Sequence, residues 1–494
     1  MTSSEAAMRD NPRNILLVAF DGLQPAQVTP ALTPNLAAFV AEGVAFDNHH
    51  PSFPSVTRSN AATMTTGCYP GRHGLAANML VMRDFDPHTA FSALEPTLAE
   101  VARKTPVLLA PTLADIMSRH GLEYVAVGTG TSGNAYVHNP NAAHIPNTAA
   151  GGGATIHPEF CLPYPLHEDI IARFGEWPPE GETNADKLAH AVDITTEYVL
   201  TERQPAVTFV WFTEPDKAQH AHGVGAKMSN RALRETDEQF GRLLEWLDAA
   251  GADTDVLVIS DHGYSTIIDI VEIEALLRDA GFPAGDEPGG VTVAGNGGAA
   301  LFYAHDRDAA TVDRLASWMM RQAWCGALVA SDALGQIKGT LPASLVGAEG
   351  LRAPDLAVSF RWDDRLNASG YEGYVYSTGG AAGLGQHGSM GRSEMRCSLF
   401  ARGGSFKRGV RIDSPTGNTD LAPTVLHLLG VSGADTMHGR VLTESLADGK
   451  PVKWQTTTHR AKRDTGTGVY NQHITISHVG DTIYLDEGNG GLAG

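Results

Sequence analysis

Three aspartates, three histidines and one threonine stand along the chain where they could assemble a metal-assisted phosphoryl-transfer site. Asp21 follows the apolar run at 15–20, and Thr57 follows Pro54-Ser55-Val56. Asp216 and His220 lie four apart, Asp261 and His262 are neighbours, and His387 sits in Gly385-Gln386-His387-Gly388. Carboxylate and imidazole donors without thiolate suit zinc, manganese or iron, and zinc is favoured as imidazoles accumulate. Two such ions roughly 4 Å apart can each hold one side of a transferred phosphoryl group. A single histidine in a chain that contains 20 is usually structural or exposed. As a set the signal is stronger, because three carboxylates at buried strand ends would be costly without partners.

Spacing adds detail. One helical turn after a strand would put Asp216 and His220 on one face. Asp261 and His262 diverge in an extended strand but, at a turning strand end, can address two metals or two sides of one. Thr57 precedes a segment of helix-compatible composition, so orphan backbone N–H groups at a helix start would lie beside its hydroxyl and favour a phosphoryl group. The competing reading is that Thr57 only caps that helix.

The elements that must position these groups are legible as apolar runs. Residues 15–20, 124–128, 206–212 and 255–260 read as buried strands, and three of them lead into Asp21, Asp216 and Asp261. Helices are expected at 34–43, 113–119, 184–200, 228–249 and 420–430, the last with a proline in its early turn and a glycine stop. This cadence predicts an α/β fold: a largely parallel central sheet with helices on both faces, whose ligands gather at the carboxyl edge. Residues 130–179, with His138, His144, Pro146 and the glycine run 151–153, read as a long exposed excursion forming a functional rim. Asn134, Tyr136 and His138 there are expected to face substrate. The domain reading is a core at 12–280 and 381–445, an inserted cap or substrate-facing lobe at 281–380, and a small β-rich extension at 446–494, where two strands flank Gly480-Asp481.

Composition narrows the function classes. At 494 residues with 42% hydrophobic content, a sizeable core is expected. A net charge of -20, from 36 Lys and Arg against 56 Asp and Glu, argues against polymeric nucleic acid or an anionic membrane as partner. Metal ions can still reverse the local potential for an anionic substrate. The four cysteines are far apart and suggest neither a disulfide framework nor a thiolate zinc site. No apolar leader is visible in residues 1–13 and no run reaches membrane-spanning length, so a cytoplasmic enzyme is the expectation.

With those residues in place the chain resembles the type I phosphodiesterase and nucleotide pyrophosphatase family of the alkaline phosphatase superfamily, over most of residues 12–445. The matching segments are Phe20-Asp21-Gly22, Pro54-Ser55-Val56-Thr57, Thr66-Gly67-Cys68-Tyr69-Pro70-Gly71-Arg72-His73-Gly74, Glu214-Pro215-Asp216-Lys217-Ala218-Gln219-His220, Ser260-Asp261-His262-Gly263 and the late His387. The resemblance implies an alkaline-phosphatase-like fold. It implies that Asp216, His220 and His387 hold one divalent ion while Asp21, Thr57, Asp261 and His262 surround the other. It makes Thr57 the nucleophile of a covalent phospho-threonine mechanism and Asn78 a contact to a non-bridging phosphate oxygen. Zn2+ is the implied ion, with Mn2+ the alternative. A small phosphodiester or nucleotide-like molecule is the implied substrate, and a homodimer stays open.

Other functions fit less well. Phosphonoacetate hydrolase shares the threonine and metal set, but the segment 128–133 lacks the lysines that such a relative would use for the substrate carboxylate. A phosphomonoesterase lacks a visible arginine clamp, a sulfatase lacks its cysteine, and an inactive metal-stabilised binding protein predicts bound metal without turnover. Tyr69, His73, His49 and His50 are expected to be structural and His222 exposed or peripheral. Arg58 reads equally as a phosphate contact or a structural arginine, and the turn at 295–298 more readily as a tight turn than a phosphate contact.

Overall fold

The computed structural model describes residues 14–142, 153–251, 253–305 and 307–493. Nine strands form its central sheet: β1 (Asn14–Phe20), β2 (Val44–Phe46), β3 (Tyr124–Gly128), β4 (Ala154–Ile156), β5 (Cys161–Leu162), β6 (Val207–Phe212), β7 (Thr254–Ile259), β8 (Leu399–Arg402) and β9 (Val410–Ile412). Their order is β9-β2-β8-β7-β1-β6-β3-β4-β5. The block from β7 to β4 is parallel, with Val18 of β1 opposite Val258 on one side and Val210 on the other. Antiparallel β8 and β5 close it at either end.

Residues alternate between two buried faces, which is why β1 is apolar throughout. Leu16, Val18 and Phe20 meet Leu36 and Phe39 of helix Pro34–Glu42, Leu188 of helix Ala185–Asp193, and Leu233 and Phe240 of helix Lys227–Ala250. Ile15, Leu17 and Ala19 meet Ala61 and Met64 of helix Thr57–Thr66, Met117 of helix Leu113–Arg119, and Val425 of helix Leu421–Leu429. Among the described residues, no helix is long and apolar enough to cross a membrane.

A second sheet of five strands runs through Val291–Asn296, Ala299–Ala304, Leu356–Phe360, Cys325–Ala330 and Leu341–Pro342. With helix Ala309–Met319 it encloses an apolar cluster of its own. The last three strands, Gln455–Asp464, Val469–Val479 and Thr482–Ala493, make an antiparallel sheet. It fastens the lobe to the core: the Gln472 amide bonds both Leu328 N–H and Leu328 C=O, while the Tyr484 hydroxyl donates to Asp420 Oδ2 at 2.8 Å.

The segment after β3 corrects the expected exposed excursion. Helix Ser132–Val137 is buried along its length, β4 and β5 extend the central sheet, and helix Leu166–Phe174 follows. Small residues allow this. A side chain at Gly133 would lie 1.7 Å from the Ala93 carbonyl, so only glycine lets this helix seat so closely. His144, Pro146, Gly151 and Gly152 lie outside the described residues, as do residues 1–13.

Candidate metal centre and nucleophile

The three acid-bearing strands are neighbours in the order β7-β1-β6, so their carboxyl ends open side by side. Asp21 follows β1 directly and Asp261 follows β7 after Ser260. Asp216 instead opens the helix Asp216–His222, and its N–H donates to the Asp21 carbonyl at 3.0 Å, which draws the helix start against β1.

Two ligand sets result. In the first, His262 Nε2 lies 3.2 Å from Asp261 Oδ2, 3.7 Å from Asp21 Oδ1 and 3.2 Å from Thr57 Oγ1. In the second, Asp216 Oδ1 is 3.5 Å from both His220 Nε2 and His387 Nε2, which are 3.2 Å from each other. Within each Asp/His trio the donor atoms lie within 4.8 Å of one another. The His262 and His387 rings stack with centroids 3.6 Å apart, so the two sets share a wall.

The residues fit cations because acceptor lone pairs converge on the centre with too few donors to satisfy them. All three imidazoles donate from Nδ1 to a carbonyl: His220 to Gly385, His387 to Ser55 and His262 to Gly263. A carbonyl only accepts, so each neutral ring presents its Nε2 lone pair to the centre. Asp21 Oδ1 and Asp261 Oδ2 are buried with no hydrogen-bond partner among the described residues. Their other oxygens are held, Asp21 Oδ2 by the Trp211 indole N–H at 3.0 Å and Asp261 Oδ1 by Gly22 N–H at 3.0 Å. Gly22 has φ +69, and a side chain there would lie 2.7 Å from the Tyr264 ring. Converging acceptors of this kind repel one another unless a cation sits among them.

Electrostatics agree. Burial raises the Asp21 carboxyl well above its ordinary range, with Asp261 and Asp216 adding to the shift, and burial raises Asp261 also. Burial, and then the neighbouring His262 and His220, lower His387 well below the usual imidazole value. Each shift expresses the cost of charge crowded in a dry site.

Thr57 is the first residue of its helix. The capping position belongs to Val56, which offers no side-chain cap, so the capping alternative is corrected and the Thr57 hydroxyl is left to donate to His262. Arg58 is structural: its guanidinium bonds the Asn78 carbonyl and Ser92 Oγ, and burial lowers its pKa to about 10. The Arg58 backbone N–H donates to Asn78 Oδ1 at 2.9 Å, which fixes the amide orientation and leaves Asn78 Nδ2 without an acceptor among the described residues. The lobe braces the next residue, since the Asn296 side chain bonds both Met79 N–H and Met79 C=O at 2.9 Å.

Several expectations resolve into packing. His49 bonds Thr416 and Asn418, the latter reaching the Asp261 carbonyl, while His73 bonds Thr63 and Tyr69 bonds Ile483. The substrate-facing reading of Asn134, Tyr136 and His138 is corrected, because all three are buried and His138 pairs with the Tyr124 hydroxyl. Sequence reading missed Trp211, which holds Asp21, and Tyr264, whose hydroxyl donates to Asp216 Oδ1 at 2.6 Å. It also missed Gln219, whose amide bonds the Gly22 carbonyl and Gln27. Their only signal is adjacency to ligands: Tyr264 follows Asp261-His262-Gly263 and Gln219 precedes His220.

The family model "Type I phosphodiesterase / nucleotide pyrophosphatase" matches residues 15–339. A bis(5'-adenosyl)-triphosphatase from Bos taurus is 26% identical over 294 residues, covering 54% of this chain and 55% of the relative. An ectonucleotide pyrophosphatase/phosphodiesterase from Caenorhabditis elegans is 23% identical over 453 residues, covering 89% and 50%. The chain thus spans about half the length of these curated relatives. The structure of murine ectonucleotide pyrophosphatase/phosphodiesterase 5 in complex with AMP superposes with a TM-score of 0.57 at 18% identity, covering 85% of this chain and 96% of that one. That likeness establishes the alkaline-phosphatase-like α/β fold.

Proposed function

Since the chain belongs to the type I phosphodiesterase / nucleotide pyrophosphatase family, we propose that it hydrolyses a small phosphodiester or nucleotide pyrophosphate through a covalent phospho-threonine on Thr57. The observation that carries this reading is the Thr57 hydroxyl, 3.2 Å from His262 Nε2 and beside the unpartnered oxygens of Asp21 and Asp261. A hydroxyl in that position is close to groups that could make it a nucleophile at neutral pH.

Asp216, His220 and His387 would hold one divalent ion, and Asp21, Asp261, His262 and Thr57 the other, with Zn2+ favoured and Mn2+ the alternative. Such ions supply charge neutralisation and lower the pKa of a coordinated hydroxyl or water. The rest belongs to the chain. Thr57 Oγ forms a bond to phosphorus as the bond to the leaving oxygen breaks, and the leaving group departs as an alcohol or phosphate after protonation. Water then attacks the same phosphorus, the Thr57 Oγ–P bond breaks, and the threonine regains its proton. Asn78 Nδ2 and the Thr57 N–H, neither with an acceptor among the described residues, serve the developing negative charge on a non-bridging oxygen. Trp211 and Gly22 keep the two buried carboxylates aimed inward throughout.

Two relatives support a nucleotide-like substrate: the murine one was solved in complex with AMP, and the bovine one is a bis(5'-adenosyl)-triphosphatase. We infer that the lobe at 281–380 borders the substrate, because Asn296, at the end of its first strand, bonds Met79 directly after Asn78. The test is hydrolysis by the metal-reconstituted protein of a phosphodiester, a nucleotide pyrophosphate, a phosphomonoester and phosphonoacetate side by side. Diester or pyrophosphate turnover that is lost in Thr57→Ala is the expected result. Preference for phosphonoacetate or the monoester would replace the substrate class, and bound metal without any turnover would replace the enzyme reading.

A further inference from the structure

Among the buried carboxylates outside the ligand sets, Glu394 lies nearest in the hydrogen-bond network to the Thr57 and His387 loops. Glu394 has 0% exposure, and among the described residues its neighbours are Ser389, Ser265 and His262 rather than a lysine or arginine. Its Oε2 accepts from Ser389 N–H at 2.6 Å and its Oε1 from Ser389 Oγ at 2.7 Å. Ser389 lies two residues beyond His387, and its carbonyl accepts from Ser55 Oγ at 2.8 Å. Ser55 in turn lies two residues before Thr57; its Oγ accepts from Gly388 N–H at 3.0 Å and its carbonyl receives the His387 Nδ1 proton at 2.8 Å. The main chain completes the junction, since the Glu394 carbonyl accepts from Gly263 N–H at 2.8 Å, and the Gly263 carbonyl holds His262.

One residue therefore joins three segments that are distant in sequence: the nucleophile loop, the His387 loop and the strand end that carries His262. Leaving a buried carboxylate without a counter-cation is expensive, and a neutral serine or amide junction would hold a loop at less cost. We propose that Glu394 is a positioning residue of the reaction, whose carboxylate fixes the nucleophile loop and the His387 imidazole relative to His262. This inference rests on the proposed phosphoryl transfer for its role in catalysis but not for its effect on cation binding.

Both oxygens of Glu394 accept hydrogen bonds, so Glu394→Gln keeps the shape while placing an N–H against a donor. The full-length protein and this variant are titrated with Zn2+ by calorimetry and with Co2+ by visible absorption, and kcat and KM are measured on a diester. In Glu394→Gln the His387 set should bind Zn2+ about 10- to 100-fold more weakly, the Co2+ spectrum should change, and kcat should fall about 10-fold or more with KM within about 3-fold. Glu394→Asp, which keeps the charge but is too short to reach Ser389 unshifted, should fall between the two. A Glu394→Gln protein with the parent's Co2+ spectrum, Zn2+ affinity and kcat overturns the proposal. So does a loss confined to melting temperature, with the folded variant binding and turning over normally. If the parent turns over none of the phosphoesters, the functional reading fails, yet the cation titrations still decide the place of Glu394.

Discussion

The two ligand sets are made of the same residue types but are held in opposite ways. The set of Asp21, Asp261 and His262 grows from the ends of β1 and β7, with side-chain exposure of 0% at Asp261 and His262 and 4% at Asp21. The set of Asp216, His220 and His387 is borne by a short helix and a glycine-flanked loop, with 16% exposure at Asp216 and 36% at His220. A buried set is preorganised by the core and cannot substitute water for a missing partner. The second set can at Asp216 and His220, though its His387 is buried, and under the proposed reaction a leaving group would enter and depart on that side. Rigidity on the Thr57 side and access on the other are what the proposed two-step displacement would require.

The comparison breaks most visibly at Thr57. Thr57→Ala should lower turnover at least ~10³-fold while both sets still bind cations, as measured by steady-state kinetics beside a Zn2+ titration. Thr57→Ser should retain a measurable share. Next come the carboxylates: Asp261→Asn leaves buried acceptors unbalanced and should cost cation binding about 3–5 kcal/mol, whereas Asp216→Asn should cost about 1–2 kcal/mol because solvent reaches that set. Equal losses by calorimetry would show that burial does not separate them.

The supporting donors sharpen the contrast on a smaller scale. Trp211→Phe removes the N–H that holds Asp21, and should weaken the buried set about 10- to 100-fold. Tyr264→Phe removes the hydroxyl on Asp216, and the effect should be at the lower end of that range. Parallel Co2+ titrations of both variants give the ratio.

The smallest effect is a pH dependence with a definite sign. Asp21 and Asp261 have raised carboxyl pKa values when folded, so the folded metal-free chain binds protons that the unfolded chain releases. That contribution leaves the metal-free protein most stable in acid, and stability is lost as pH rises from the ordinary carboxylate range, about 4, through the raised values. Cation binding removes the protons and the crowding together. The gain in melting temperature on adding Zn2+ after chelation should therefore be larger at pH 8 than at pH 5.5; a gain that shrinks as pH rises would contradict it.

Much of this was legible before the structure. Strand β1 is apolar at each of residues 15–20 because both its faces are covered, and the turn from Phe20 to Asp21 marks where cover ends. Asp216 and His220 kept their helical spacing. What escaped was long-range pairing: Trp211 finds Asp21 across 190 residues and Gly22 finds Asp261 across 239. No local pattern encodes such contacts. The segment after β3 misled for a different reason. Its glycines, histidines and asparagines have loop composition, but Gly133 and Ala135 are small enough to pack the helix into the core, and packing overrode propensity.

In the proposed reaction Thr57 carries the phosphoryl group between the two steps. Acid quenching of the metal-loaded protein during diester turnover, followed by peptide mass mapping, tests it directly. The account predicts a phosphoryl adduct on the peptide containing Thr57 and none in Thr57→Ala. An active protein in which that peptide stays unmodified at every quench time, or in which the adduct maps to another side chain, would contradict it.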